Sequence, residues 1–343
     1  MTGLNIGIIY NQPASSGYAF PEASMDVLVQ VEAVEEALTE LGYRSVRIPF
    51  TMDVRAAVQR IKEEDISMAF NLCETVDEDP SYSGHPAALL ELLQIPFSGS
   101  PSMALMLTTD KFMTNRLLAA NGIGTPNCEA FDATKPLSTA HLNFPVIVKP
   151  RLEDASIGID QESVFPDEGE LRKQVGGLYR RFGPLLIEEY VHGREFNISL
   201  LGYPFPTTLP PAEISFSGFP DTLYPILGYR AKWDEHSFEY HNTPRSFPQD
   251  LTPLMLRTIE ETALGCFRLL MLRDYGRIDM RIDESGRMYV LEANANPCLS
   301  PDAGFAAAAQ AAGMSYSRMV GQMVCFMAQR SKKDVYQACR ASR

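Results

Sequence analysis

Apolar residues in the first hundred positions follow two alternating rhythms. NIGIIYN (5–11) is a short Ile-rich run that reads as a buried strand. Beyond it Val27, Val31, Val34 and Leu38 fall at spacings of three and four, which predicts a helix over 24–41 capped by Gly42. SVRIPF (45–50) is a second strand, 53–64 a second helix and ISMAFNL (66–72) a third strand, followed by a polar loop with Asp77, Glu78, Asp79 and Pro80. HPAALLELLQ (85–94) reads as helix and IPFSGS (95–100) as a short strand running into a turn. Strands and helices in this alternation build βαβ units on a parallel sheet, so the chain opens as α/β.

From about 108 the pattern changes. TTDKFMTNRLLAANG predicts a helix capped by Thr109 or Asp110 and ended by Gly122. FPVIVKP (144–150) is a strand that delivers Lys149 just before Pro150. After it come the loop RLEDASIGID, a helix at about 168–181, and the strands PLLIEEYV and REFNISLLG. Residues 203–250 are rich in proline and aromatics with little helix signal, and Lys232 in GYRAKW is expected between strands. A helix over 251–270, the hairpin GRIDMRID-ESG-RMYVLEAN and an Ala-rich final helix complete the chain, and residues after about 330 read as a tail.

Composition narrows the class. At 343 residues the chain is long enough for two or three compact units. No window approaches the roughly 20 uninterrupted apolar residues of a membrane helix, and MTGLNIGIIYN lacks the basic start and small-residue cleavage site of a signal peptide. The 43 acidic residues outnumber the 30 basic ones, for a net charge of −13. That balance argues against a nucleic-acid footprint while leaving room for a small anion held by local cations. The six cysteines are scattered without a CxxC pair, which points to a reduced, cytoplasmic protein.

Candidate chemistry concentrates in the hairpin. A period of two places Arg277, Asp279 and Arg281 on one face, and on the returning strand Met288, Val290 and Glu292 share a face. With an even turn, Asp279 and Glu292 come together and Asn294 continues their face. Two carboxylates and an amide oxygen suit Mg²⁺. A solvated polar face neutralised by Arg277 and Arg281 explains the same pattern, and spacing alone leaves the two readings even. If Mg²⁺ is present, a nucleotide polyphosphate is its usual companion. Yet GxxxxGK[ST], a GxGxxG after the first strand, and the HRD and DFG motifs are all absent. What remains is Lys149 at a strand end before DASIGI, a loop whose small side chains let backbone N–H groups approach phosphate, with Lys111 opening a helix in the same region.

The order Lys111, VKP…SIG with Lys149, IEEYVHGREF, GYRAKW, GRIDMRID and VLEANANP resembles the ATP-grasp fold and, more narrowly, the D-alanine–D-alanine ligase group, over about residues 5–325. The resemblance implies an N-terminal α/β parallel-sheet domain (1–107), a small central α+β subdomain (108–186) and a larger C-terminal α+β subdomain with the metal site (187–330), before a tail at 331–343. It implies that Lys111 and Lys149 bind ATP phosphates under a closing 153–158 loop to which Ser156 contributes. Glu188 and the backbone of Glu189, Tyr190 and Val191 would meet adenine, Glu195 would hold the ribose hydroxyls, and Lys232 would reach the phosphates. Asp279, Glu292 and Asn294 would carry two Mg²⁺ ions, with Mn²⁺ as a substitute. Arg277 would stabilise the acyl phosphate and the tetrahedral intermediate. Small carboxylate and amine substrates, amino acids or peptides, would be joined through an acyl phosphate. A homodimer is the family expectation.

The chain departs from that group where the amino-acid substrates bind. NQPASSGYAFPEASMD offers Glu22 or Asp26, neither a clean match to the ligases' N-terminal glutamate. NLCETVDEDPSYSGHP replaces their LHG…GEDG, and Asn296-Pro297-Cys298 replaces their Ser-Pro-Gly. Ala303-Gly304 stands where their Ser-Leu holds the second substrate's carboxylate. Cys298 has no base beside it in sequence and reads as a residue that shapes the acceptor pocket. The expectation is a ligase with a rewritten pocket. The alternatives are a genuine D-alanine–D-alanine ligase and a nucleotide-binding regulatory protein that has lost catalysis.

Overall fold

A computed structural model describes residues 4–13 and 18–331. The expected tail lies, apart from Ser331, outside the described residues, as do positions 14–17 of the segment that follows the first strand. Strand β1 (Asn5–Asn11) and helix α1 (Pro21–Glu40) lead to β2 (Arg44–Phe50), α2 (Val54–Glu63) and β3 (Ile66–Asn71). The three strands form a parallel sheet in the order β2-β1-β3. α1 buries the stripe Val27, Val31, Val34 and Leu38, as its 3.6-residue period requires. The short strand expected at 95–100 is reduced to one parallel bridge, Phe97 to Ala69.

Helices α3 (His85–Leu92), α4 (Ser102–Thr109) and α5 (Lys111–Ala120) follow. The helix expected to be capped by Thr109 or Asp110 is α5, and directly before it lies α4, which the pattern did not announce. Asp110 has extended backbone that ends α4, and its side chain caps α5 by accepting the Met113 N–H at 3.1 Å. This places Lys111 in the first turn of α5. Next come β4 (Cys128–Phe131), β5 (Val146–Pro150), β6 (Val164–Phe165), α6 (Glu168–Phe182) and β7 (Leu185–Glu189). Their antiparallel sheet, β4-β7-β5-β6, ends at Glu189 and packs with α6 around a core of its own, including Val146, Val148, Leu171, Leu185 and Ile187.

The last sheet contains β8 (Arg194–Gly202), β9 (Thr207–Thr208), β10 (Ala212–Ile214), β11 (Arg245–Ser246), β12 (Asp274–Ile282) and β13 (Met288–Asn294). The proline-rich 203–250 stretch also holds two short helices, α7 (Tyr229–Trp233) and α8 (Phe238–His241). Lys232 therefore projects from a helical turn, not from a link between strands. Helix α9 (Pro253–Leu269) covers this sheet, and the Ala-rich end is two helices, α10 (Gly304–Ala311) and α11 (Tyr316–Arg330), separated at Gly313. Residues of the first and last sheets share continuous cores, Ile9, Val46 and Ile48 clustering with Ile198, Ile278 and Met280. The central sheet thus stands apart while the other two are welded together.

The hairpin register corrects the expected parity. The turn between Ile282 and Met288 is odd, Asp283–Arg287, and residues beside it pair as Arg281 with Tyr289 and Met280 with Val290. Continued unbroken, that register would set Asp279 opposite Leu291. A one-residue irregularity between Asp279 and Met280 absorbs Leu291, so Asp279 pairs with Glu292 and Arg277 with Asn294. Val290 accordingly joins Met280 in the core and does not share the Glu292 face. The two carboxylates meet because of this bulge.

Candidate active site

The start of α5, the end of β5, the turn of α7 and the β12–β13 pair converge between the central and last sheets. Lys111 is 7% exposed, and its Nζ donates to the Glu153 carbonyl, to Asp154 Oδ1 at 3.0 Å and to Glu292 Oε1 at 2.9 Å. Burial opposes the Lys111 charge, but Asp154 and Glu292 outweigh it and raise its pKa. For Glu292 burial would push upward, yet Lys111, backed by Lys232 and Lys149, holds it down at about 2. Lys149, the one lysine of β5, donates to Glu188 on β7, which is 1% exposed. Ala155 and Ser156 both have positive φ, 54° and 61°, a strained conformation for residues with a Cβ. The Ser156 hydroxyl donates to the Leu227 carbonyl at 2.8 Å, and the Trp233 indole to the Ala155 carbonyl at 3.0 Å. The 153–158 loop is therefore already fastened to the segment carrying α7.

A cavity of about 90 Å³ is lined by Lys111, Lys149, Ser156, Glu188 through Val191, Glu195, Lys232, Asp279 and Glu292, so the residues expected around a nucleotide do come together. Glu189 contributes its backbone, because its carboxylate is turned away to Asn127 and Asn143. Glu195 is gripped by Arg281 through Oε2 alone, at 3.0 and 2.7 Å. Arg281 also donates to the carbonyls of Val191 and Pro225 and lies over the Tyr190 ring, 5.3 Å from its centroid. Arg281 was legible only as a charge on the Asp279 face. Its role as the clamp on Glu195 needs the fold.

The Asp279–Glu292 pair tests the metal reading. Directly opposed residues on antiparallel strands have Cβ atoms about 5 Å apart, so two carboxylates there repel unless cations intervene. The chain supplies them: Arg277 grips Asp279 with Nε and Nη2 at 2.7 and 2.8 Å, and Lys111 grips Glu292. Asn294 Oδ1 accepts the Asn296 N–H at 3.0 Å, which fixes the amide. Among the described residues no three or more His, Cys, Asp or Glu gather as a metal site. The donor set is two carboxylates and one amide, hard oxygens that suit Mg²⁺ with water and substrate phosphate as further ligands. The residues fit that ion.

A second cavity, about 400 Å³, adjoins the first and shares Lys232 and Glu292 with it. Arg277, Asn294, Asn296, Cys298, Asp26 and Glu74 are among its lining residues. Asp26 accepts the Cys298 thiol at 3.0 Å, Ser300 Oγ at 3.0 Å and Gln30 Nε2 at 3.1 Å. Glu22 is instead bonded by the Tyr229 hydroxyl at 2.9 Å. Burial, with the negative charges of Asp26 and Glu74 nearby, pushes the Cys298 thiol well above its ordinary range, which works against a thiolate there. Glu74 was missed in the sequence because it lies in an irregular loop with no motif. Burial raises its pKa to about 7, with Asp26 and Asp154 adding to the rise and the Gln30 hydrogen bond, 3.1 Å, and Arg277 opposing it.

That shift has a sign. A carboxyl raised from 4.5 to about 7 favours the folded state below the unfolded pKa and loses that advantage as pH climbs through about 7. Glu74→Gln is expected to melt above the unmodified protein at pH 8 and to converge with it near pH 5, as read by thermal unfolding across that range. A gap that widens toward low pH would contradict the burial of Glu74.

Comparison with known proteins places this geometry. Residues 124–325 match the family model described as D-ala D-ala ligase C-terminus. The D-alanine–D-alanine ligase of Carboxydothermus hydrogenoformans is 33% identical over 306 residues, 85% of this chain and 90% of that protein. An uncharacterised Sinorhizobium fredii protein, y4sG, is 30% identical over 84% of both chains. The crystal structure of the Bacillus anthracis D-alanine–D-alanine ligase complexed with ATP superposes with a TM-score of 0.76 at 22% identity, covering 96% of this chain and 99% of that one. The parallel and antiparallel sheets of this chain are thus those of an ATP-grasp fold. No helix among the described residues is long and apolar enough to cross a membrane.

Proposed function

The chain belongs to the D-alanine–D-alanine ligase family, and from that premise we propose that it is an ATP- and Mg²⁺-dependent, ADP-forming carboxylate–amine ligase whose amino-acid pocket has been rebuilt. The observation that carries this reading is the pair of adjoining cavities that share Lys232 and Glu292. One has the lysines and carboxylates of a nucleotide–metal cleft, the other the room and mixed charge of a substrate pocket.

The reaction joins a donor carboxylate to an amine. The donor oxygen attacks the γ-phosphorus, ADP leaves, and the resulting acyl phosphate is attacked at carbon by the amine, which loses a proton as phosphate departs with the donor oxygen. Magnesium, when bound by Asp279, Glu292 and Asn294, would neutralise the transferring phosphoryl oxygens. Lys111 and Lys149 hold the phosphates in this scheme. Lys232 makes no hydrogen bond or ion pair among the described residues, and burial lowers its pKa; an anionic oxygen is the partner that position lacks. Arg277 presents Nη1, left free by its fork on Asp279, to the acyl phosphate and tetrahedral oxygens. Asp26, not Glu22, is the N-terminal acid in position for a substrate ammonium.

A screen of L- and D-amino acids, dipeptides and small carboxylates for ADP release, with mass detection of product, tests the proposal. Absence of ADP release with every pair would remove it. A genuine D-alanine–D-alanine ligase is the second reading, favoured by the names of its relatives. D-alanine alone would then release ADP and yield the dipeptide. A binding-only protein is opposed by the joint presence of Lys111, Lys149, Arg277, Asp279, Glu292 and Asn294.

A further inference from the structure

One wall of the larger cavity is explained by neither the phosphate lysines nor the metal carboxylates. Arg245, from the irregular stretch that the sequence left without assignment, lines it beside Asp302, Ala303 and Gly304 at the start of α10. A Cβ placed on Gly304 would lie 3.6 Å from Arg245 Nε and Nη2, which locates the guanidinium against that turn. Arg277 and Arg281 each have a carboxylate in their fork. Arg245 has none. Its one hydrogen bond runs from Nη1 to the Asp302 carbonyl at 3.3 Å. Arg245 is an exposed residue, and the desolvation it does have, with the nearby Arg277, works against its charge, which Asp302 offsets only in part.

Resting on the ligase reading, we propose that Arg245 binds the carboxylate of the acceptor, so that the amine substrate is an amino acid or peptide with a free carboxyl group. The donor's reacting carboxylate must sit at the wall shared with the nucleotide cleft, by Lys232 and Arg277, and is consumed there. An amine that attacks the acyl carbon approaches across the cavity, from the side on which Arg245 stands. Its carboxylate then fills a planar fork that matches it bidentately. Arg245 is the specificity residue that stands in for the Ser-Leu pair replaced in this chain by Ala303-Gly304.

Trp233 is the one tryptophan of the chain and lines this cavity, so its fluorescence reports occupancy without turnover. The full-length protein, held with Mg²⁺ and a non-hydrolysable ATP analogue, is titrated with glycine, L-alanine and D-alanine, each against its carboxamide. At least one amino acid is expected to saturate, with its carboxamide about 10- to 100-fold weaker, as loss of a charge-assisted bond implies. Arg245→Gln should bind the two forms alike, and Arg245→Lys should recover part of the preference. In turnover the loss should fall on the acceptor's KM and not on that of ATP. A carboxylate preference that survives in Arg245→Gln, or an effect confined to the donor's KM, would overturn the assignment. So would a wild-type protein that prefers none of the three carboxylates. ADP release with the same compounds is read separately and speaks to the ligase reading alone.

Discussion

Glu292→Gln is expected to lower kcat by at least about 10³-fold while the protein stays folded, because the role proposed for this carboxylate is to hold the metal on which several kcal/mol of transition-state stabilisation depend. Glu292 is ionised throughout the working pH range, since Lys111 holds its pKa at about 2. The substitution removes the charge and keeps the shape. Lys111 retains Asp154 and the Glu153 carbonyl as partners, so the fold loses one bond of three at that amine. Steady-state ADP release and a thermal melt on the same preparation separate the two effects. A variant with near-normal turnover would refute the metal assignment at β13.

Arg277→Ala is expected to cost about 10²- to 10³-fold in kcat, the usual loss when a preorganised donor to a developing oxyanion is removed. The KM for ATP should change far less, because the nucleotide lysines are untouched. Arg277→Lys should recover little: an ammonium cannot reproduce the fork on Asp279 and still present a free N–H to the substrate. A loss that appears in KM for ATP with kcat intact would place Arg277 on the nucleotide and contradict its role at the acyl carbon.

Much of this site could be read before the fold was known, for physical reasons that differ by residue. Lys149, Asp279 and Glu292 lie on regular strands, where a period of two and flanking apolar residues announce which way a side chain points. Even there the parity was off by one, and only the bulge at Leu291 returns Glu292 to Asp279. No periodicity announces a bulge. Asp154, Glu74 and Arg245 come from loops or a two-residue strand, and their bonded neighbours Lys111, Gln30 and Asp302 are 43, 44 and 57 positions away. The Cys298–Asp26 contact joins residues 272 positions apart. Such walls form where α1, the loop after β3 and the stretch after β13 meet in space, which local pattern does not encode. Asp110 was legible as the cap of α5, whereas α4 was missed because its run ends directly at that cap with no turn residues to set it apart.

The ligase mechanism stands most directly on the fate of one oxygen. With a donor found in the ADP-release screen and labelled with ¹⁸O in both carboxyl oxygens, each amide formed should leave one phosphate carrying a single ¹⁸O, read by mass spectrometry of the phosphate. Amide formed with unlabelled phosphate would contradict the acyl-phosphate route, and with it the proposed roles of Arg277 and the Asp279–Glu292 pair.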